Sequence, residues 1–193
     1  MNDQLSPKVL YQAYCQGYFP MPDHVTNEIF WYRPDPRAIF PLDKFRVSRS
    51  LQKVIRKKFF EITFNQAFNK VIHYCGSRKE SWITKNFINA YTELHNLNQA
   101  HSVEVWLDGE LVGGVYGVHI GSAFFAESMF FRASNASKVA LYFLIEKLKE
   151  KNFFLLECQF MTDHLKSLGA EEISDKDYIR LLQAAINKAS LFT

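Results

Sequence analysis

The chain has 193 residues, 48% of them apolar, and a formal net charge of +3. That length holds one core with a small lobe packed on it, and the charge neither requires nor excludes a polyanionic partner. Three scattered cysteines, Cys15, Cys75 and Cys158, exclude a disulfide framework and a CxxC metal site, and fit a reducing cytoplasm.

The opening Met1–Gln4 has no basic stretch followed by an apolar run, so no signal peptide is expected. No segment approaches the roughly 20 apolar residues of a membrane-spanning helix. Residues 6–18 predict a short helix, with Ser6 as N-cap, Pro7 in the first turn and Val9, Leu10, Ala13 and Tyr14 on one face. All six prolines fall within the first 41 residues, among aromatic residues, which predicts turns and extended segments. Residues 46–58 contain six basic residues, Arg46, Arg49, Lys53, Arg56, Lys57 and Lys58, and no acidic one. Leu51, Val54 and Ile55 would form the buried stripe of a helix here. Both a solvated face and a polyanion-binding face remain open.

From residue 60 the pattern becomes an α/β unit. Residues 60–64 alternate like a strand, and 66–75 and 85–97 look helical. Residues 101–106 alternate again, Asp108-Gly109 marks a hairpin, and 111–118 and 122–129 supply two more strands. Gly113, Gly114 and Gly117 suggest a close approach to the second of these. Residues 137–151 form an amphipathic helix, 153–160 a buried strand, and 162–168 and 175–189 two further helices. A β-meander, a helix, a central strand and a helix make an α+β, acetyltransferase-like (GNAT-like) domain. The expected organisation is a small N-terminal lobe with the basic helix over 1–59 and the catalytic domain over 60–193.

Two pairs of polar residues stand out in apolar surroundings. Glu157 and Gln159 would share one face of the most hydrophobic strand, with Cys158 opposite. A buried carboxylate is costly unless partnered, so the pair marks either a polar pocket or a structural hydrogen-bond pair. Glu127-Ser128 repeats the theme. Its carboxylate would recognise a positive charge or orient an amine, or else serve a backbone amide or a basic residue such as Lys138. Six histidines lack zinc-site spacing, so no metal is expected; His101 and His164 read as structural. Arg132 to Ser137, where an acetyltransferase of this kind carries a glycine-rich pyrophosphate turn, has no glycine, which weakens an acyl-CoA donor; no cofactor is expected.

Many segments, in order from about residue 8 to 185, resemble the leucyl/phenylalanyl-tRNA-protein transferases. They include Tyr11–Pro20 (YQAYCQGYFP), Trp31–Ile39 (WYRPDPRAI), Ser48–Ser50, Trp82–Thr84, Ala100–Trp106 and Leu111–Val118. Glu127–Phe130, Asn135–Lys138, Glu157–Gln159 and His164–Ala170 complete the set. The resemblance implies that the α-amine of an acceptor protein attacks the aminoacyl ester at a tRNA 3′ end, marking the acceptor for degradation. The implied partners are Leu- or Phe-tRNA and protein N-termini starting with Lys or Arg, with no membrane and a monomeric chain.

By the same resemblance Gln159 orients the amine and Glu157 polarises it or takes its proton. Glu157 stands where the family more often has Asp. Val115, Phe124, Leu141, Leu144 and Leu156 would line the donor side-chain pocket. Trp82 would be the platform for the terminal adenine, with Met21 where a second tryptophan is usual, and Glu127 and Ser128 beside the aminoacyl group. Ala126 replaces a usual glycine. Arg46, Arg49, Lys53, Arg56, Lys57 and Lys58 would meet the tRNA acceptor stem through its phosphates. The family commonly has further residues ahead of the first helix. An acyl-CoA-dependent N-acyltransferase, a non-catalytic tRNA-binding module and a transferase acting on acidic N-termini are the alternatives.

Overall fold

The structure, a computed structural model, describes residues 5–23, 26, 28–78 and 81–193; the reading of Met1–Gln4 falls outside them. Helix α1 (Pro7–Cys15) begins as its sequence dictates: the Ser6 hydroxyl accepts from the Val9 N–H at 3.4 Å, and Leu10 and Tyr14 are buried. Strands β1 (Phe19–Pro22) and β2 (Ile29–Tyr32) form a separate antiparallel hairpin, with Phe19 opposite Tyr32 and Met21 opposite Phe30. Strand β3 (Arg37–Phe40) comes from the stretch assigned to the N-terminal lobe. Its Ala38, Ile39 and Phe40 are nevertheless buried in the main sheet.

The basic segment forms α2 (Arg49–Arg56), capped by Ser48, whose hydroxyl accepts from the Leu51 N–H. Leu51 is buried and Val54 and Ile55 half-buried, as the stripe predicts, and all six basic residues from Arg46 to Lys58 are exposed. Then follow β4 (Glu61–Phe64), α3 (Phe68–Gly76), α4 (Lys85–Asn96), β5 (Ala100–Leu107), β6 (Glu110–Ile120) and β7 (Ala123–Phe131). Helix α5 (Ala136–Glu150) crosses over to β8 (Leu155–Glu157), followed by α6 (Asp163–Leu168), β9 (Glu171–Ile173) and α7 (Asp175–Ile186).

The main sheet runs β4-β5-β6-β7-β8-β3-β9. Pairing is antiparallel except between β7 and β8, which are parallel and joined by α5. Helices cover both faces, so each face has its own apolar core. One core gathers Leu10, Tyr14, Phe87, Tyr91, Phe125 and Tyr178 under α1, α3, α4 and α7. The other gathers Val115, Phe124, Leu141, Leu144, Leu156 and Leu165 under α2, α5 and α6.

The strand expected over 153–160 is shorter. It ends at Glu157, and Gln159 adopts a left-handed backbone with φ +64°. Hydrogen bonds to β3 fix this departure: the Cys158 N–H donates to Ala38 O at 2.9 Å and the Ala38 N–H to Gln159 O at 3.1 Å. Glu157 and Gln159 therefore do not share a strand face. The close approach at the glycines is made by the chain itself. A β-carbon on Gly113 would stand 2.6 Å from that of Ala136 at the start of α5, and one on Gly117 would stand 2.2 Å from Phe125 O. These glycines seat α5 and β7 on β6.

Candidate active site

Strands β7 and β8 pair only as far as Phe125 and Glu157. Beyond that point β7 continues while the other chain turns away into α6, and a cavity of about 260 Å³ opens between them. Its walls include Ala126 to Met129 from β7, Val115, Leu141, Cys158, Gln159 and Leu165, together with Arg78 and Trp82.

A β-bulge aims the central side chain. The β6–β7 register passes from Tyr116 opposite Ser128 to Gly117 opposite Ala126, which leaves Glu127 as the extra residue. A bulge of this kind re-aims a side chain and breaks strict alternation. Glu127 is only 6% exposed, yet its carboxylate is surrounded by donors. Tyr14 donates to Oε1 at 2.6 Å, Tyr91 to Oε2 at 3.0 Å, and the Gln159 Nε2 to Oε2 at 3.2 Å. The two tyrosine hydroxyls lie 2.7 Å apart. None of these donors carries a charge. Burial accordingly pushes the Glu127 carboxyl up from 4.5 to about 7, and its hydrogen bonds offset this only in part.

Glu157 is held differently. It is 0% exposed and does not line the cavity. Arg37, also buried, donates through Nη1 to Glu157 Oε1 at 2.9 Å and through Nη2 to Gly17 O. The guanidinium lies over the Tyr178 ring at 4.3 Å and the Phe19 ring at 5.0 Å. The same Oε1 accepts from the Gln159 backbone N–H at 2.6 Å. Burial raises the Glu157 carboxyl, and Arg37 pulls it back down. Glu157 thus grips the backbone of Gln159, while the Gln159 side chain reaches Glu127.

The structure brings together Gln159, Glu127, Ser128, Trp82, Val115 and Leu141 on one cavity. Ser128 Oγ accepts from Arg78 Nη2 at 2.8 Å. Phe124, Leu144 and Leu156 are in the core behind and are not among the lining residues. Met21, on the β1–β2 hairpin, is not among them either. Cys158, placed opposite Gln159 by strand alternation, lines the cavity beside it because the strand has already ended. Glu127 has tyrosines and Gln159 as partners rather than Lys138. His101 is structural: its ring bonds Asn65 and His119 and stacks on Phe192 at 4.4 Å. Among the described residues no group of three or more His, Cys, Asp or Glu side chains is arranged to hold a metal ion, and no helix is long and apolar enough to cross a membrane.

Sequence reasoning missed Tyr14, Tyr91, Arg37 and Arg78. The two tyrosines carried a signal, since a Tyr on a buried helix face must find a partner for its hydroxyl.

Comparisons with known proteins bear on this site. Residues 39–183 match the family model described as leucyl/phenylalanyl-tRNA protein transferase, and residues 3–35 match the model of its N-terminal domain. A leucyl/phenylalanyl-tRNA--protein transferase of Zymomonas mobilis is 50% identical over 198 residues, covering 100% of this chain and 73% of its own. Its counterpart in Herpetosiphon aurantiacus is 48% identical over the full length of both chains, and that of Gloeobacter violaceus 48% identical over 94% of each. Among solved structures, FemX shares the fold with a TM-score of 0.53 at 12% identity, covering 90% of this chain and 70% of its own. A ribosomal-protein-alanine N-acetyltransferase of Brucella melitensis aligns over 56% of this chain and 86% of its own, with a TM-score of 0.43 at 15% identity.

Proposed function

The chain belongs to the leucyl/phenylalanyl-tRNA protein transferase family and is an aminoacyltransferase, and from that premise we propose that it moves leucine, phenylalanine or methionine from tRNA onto the N-terminus of proteins that begin with Lys or Arg. The modification marks those proteins for degradation in the cytoplasm. The observation that carries this reading is Gln159 and Glu127, hydrogen-bonded at 3.2 Å on the wall of one partly apolar cavity.

The chemistry is aminolysis of an ester. The acceptor's neutral α-amine attacks the ester carbonyl carbon, an N–C bond forms, and the bond from that carbon to the tRNA 3′ oxygen breaks. One proton leaves the nitrogen and one reaches the departing oxygen, so nothing is consumed. Gln159 offers its Nε2 to Glu127, which leaves its amide oxygen to orient the amine. Glu127, poised near neutrality, accepts the proton and returns it, and its negative form attracts a cationic acceptor.

Glu157 acts one step behind. With Arg37 it is a positioning pair that holds the Gln159 backbone in place. Val115, Leu141, Met129 and Leu165 receive the donor side chain, and Trp82, which lines the same cavity, takes the terminal adenosine. The α2 cations take the acceptor-stem phosphates. Their reversal (Arg49, Lys53 and Arg56 each to Glu) weakens Leu-tRNA binding more at low salt than at high, and a salt-independent loss would assign α2 no phosphate contact.

The direct test is transfer of radiolabelled leucine from Leu-tRNA to peptides that differ only in residue 1. Labelling of Arg and Lys peptides supports the reading. Labelling of Asp or Glu peptides instead would mean a differently tuned acceptor site, and no labelling at all would overturn the transferase activity.

A further inference from the structure

Single exposed apolar residues are ordinary, but a cluster of exposed rings next to a reaction centre calls for an account. Phe160 directly follows Gln159 and is 42% exposed; Tyr32, at the end of β2, is 39% exposed. Their rings meet edge to face at 6.4 Å. Both rest on Phe19, which is fully buried, at 5.4 Å from Phe160 and 6.1 Å from Tyr32. A buried ring thus props two exposed ones into a shelf of apolar surface.

Charge indicates the occupant. The two cations nearest the shelf in sequence are already engaged. Arg33 makes two hydrogen bonds to the Asp175 carboxylate, at 2.8 and 2.6 Å, and Arg37 is buried on Glu157. A phosphate finds no free cation in either of them, whereas Arg78, which lines the cavity, is hydrogen-bonded among the described residues only to the neutral Cys75 O and Ser128 Oγ, and six exposed basic residues lie in and around α2. A polynucleotide is drawn to those surfaces, and the shelf is left for a polypeptide. Phe160 is the residue after Gln159 and its ring meets Tyr32, so an acceptor whose amine sits at Gln159 and whose extended chain runs that way, at about 3.3 Å per residue, sets its second and third residues against the shelf.

We propose that Phe160 and Tyr32 form an aromatic shelf that binds the second and third residues of the acceptor polypeptide and favours apolar side chains there. This rests on the reading that the acceptor amine is placed at Gln159.

The test uses the full chain, saturating Leu-tRNA and peptides that begin with Lys and differ only at residue 2 as Leu, Phe or Gly. The wild type is expected to show a KM about tenfold lower for Leu and Phe than for Gly, the worth of one good aromatic contact. Phe160→Ala and Tyr32→Ala each erode that preference by raising the KM of the apolar peptides, Phe160→Leu restores part of it, and the KM for Leu-tRNA does not move. Equal KM values for the three peptides in the wild type would overturn the proposal. So would variants that raise the Leu-tRNA KM and leave the peptide preference intact, because the shelf would then serve the tRNA 3′ end. If no peptide is labelled, the transferase reading fails separately. The shelf is then judged by fluorescence anisotropy of the same peptides: apolar-selective binding lost in Phe160→Ala upholds it, and unselective or absent binding rejects it.

Discussion

Glu127 and Glu157 are the same residue type, both removed from water and both linked to Gln159, yet the molecule treats them in opposite ways. Glu157 faces a buried guanidinium and accepts a hydrogen bond from the backbone N–H of Gln159. Glu127 faces two phenols and an amide, which stabilise a carboxylate without neutralising it. Full burial beside a cation makes a fixed anchor. Full burial among neutral dipoles leaves a group whose proton is exchangeable near neutral pH, at a cost in stability.

The most severe way to break this contrast is to remove the cation. Arg37→Ala leaves Glu157 as an uncompensated buried charge and is expected to cost about 3–5 kcal/mol in thermal or urea unfolding. A loss under 1 kcal/mol would mean that the pair does not anchor β8 to β3. Next in size is the residue shared by both carboxylates. Gln159→Asn tolerates the left-handed backbone but withdraws the amide by one methylene, and turnover should fall about 100-fold, with tRNA binding retained.

The other side of the contrast is sharpened by Glu127→Gln. A carboxyl whose folded pKa lies above its unfolded one holds more protons in the folded state, so folding stability falls as pH rises from 4.5 to about 7. Removing the charge should therefore raise unfolding stability by about 2–3 kcal/mol at pH 8 and by little near pH 4.5, with activity reduced. An equal change at both pH values would refute the raised carboxyl. The last effect concerns the acid side of the fold. Burial lowers His101 from 6.5 to about 3, so its contribution is complete above pH 6.5 and is lost as pH falls toward 3. His101→Asn should flatten the acid limb of the stability curve measured by urea unfolding.

Much of the fold was legible from periodicity. The meander, the α5 crossover and the capped helices α1 and α2 follow from alternation, heptad-like stripes and Ser caps within a few residues of where they lie. The site was legible as residue types: Glu127, Gln159 and Trp82, all singled out in the sequence, line one cavity. What alternation could not convey are two breaks in it. The bulge at Glu127 depends on β6–β7 register, and the end of β8 depends on a strand more than 100 residues earlier, β3, which captures Cys158 and Gln159 through backbone hydrogen bonds. Arg37, an ordinary arginine in a proline-rich run, becomes intelligible only once β3 lies beside β8. The resemblance assigns Phe124, Leu144 and Leu156 to the donor pocket, but their side chains are buried in the core between the sheet and helix α5 and do not line the cavity.

The most direct test of the account is the KM of a Lys-initiated peptide measured from pH 5.5 to 8.5 at saturating Leu-tRNA, in the wild type and in Glu127→Gln. The acceptor's own α-amine, near 7.7–8, shapes both profiles equally. The account predicts that the wild type gains acceptor affinity as pH rises through about 7 and that Glu127→Gln lacks this gain. Superimposable profiles would show that Glu127 neither titrates in that range nor senses the acceptor's charge.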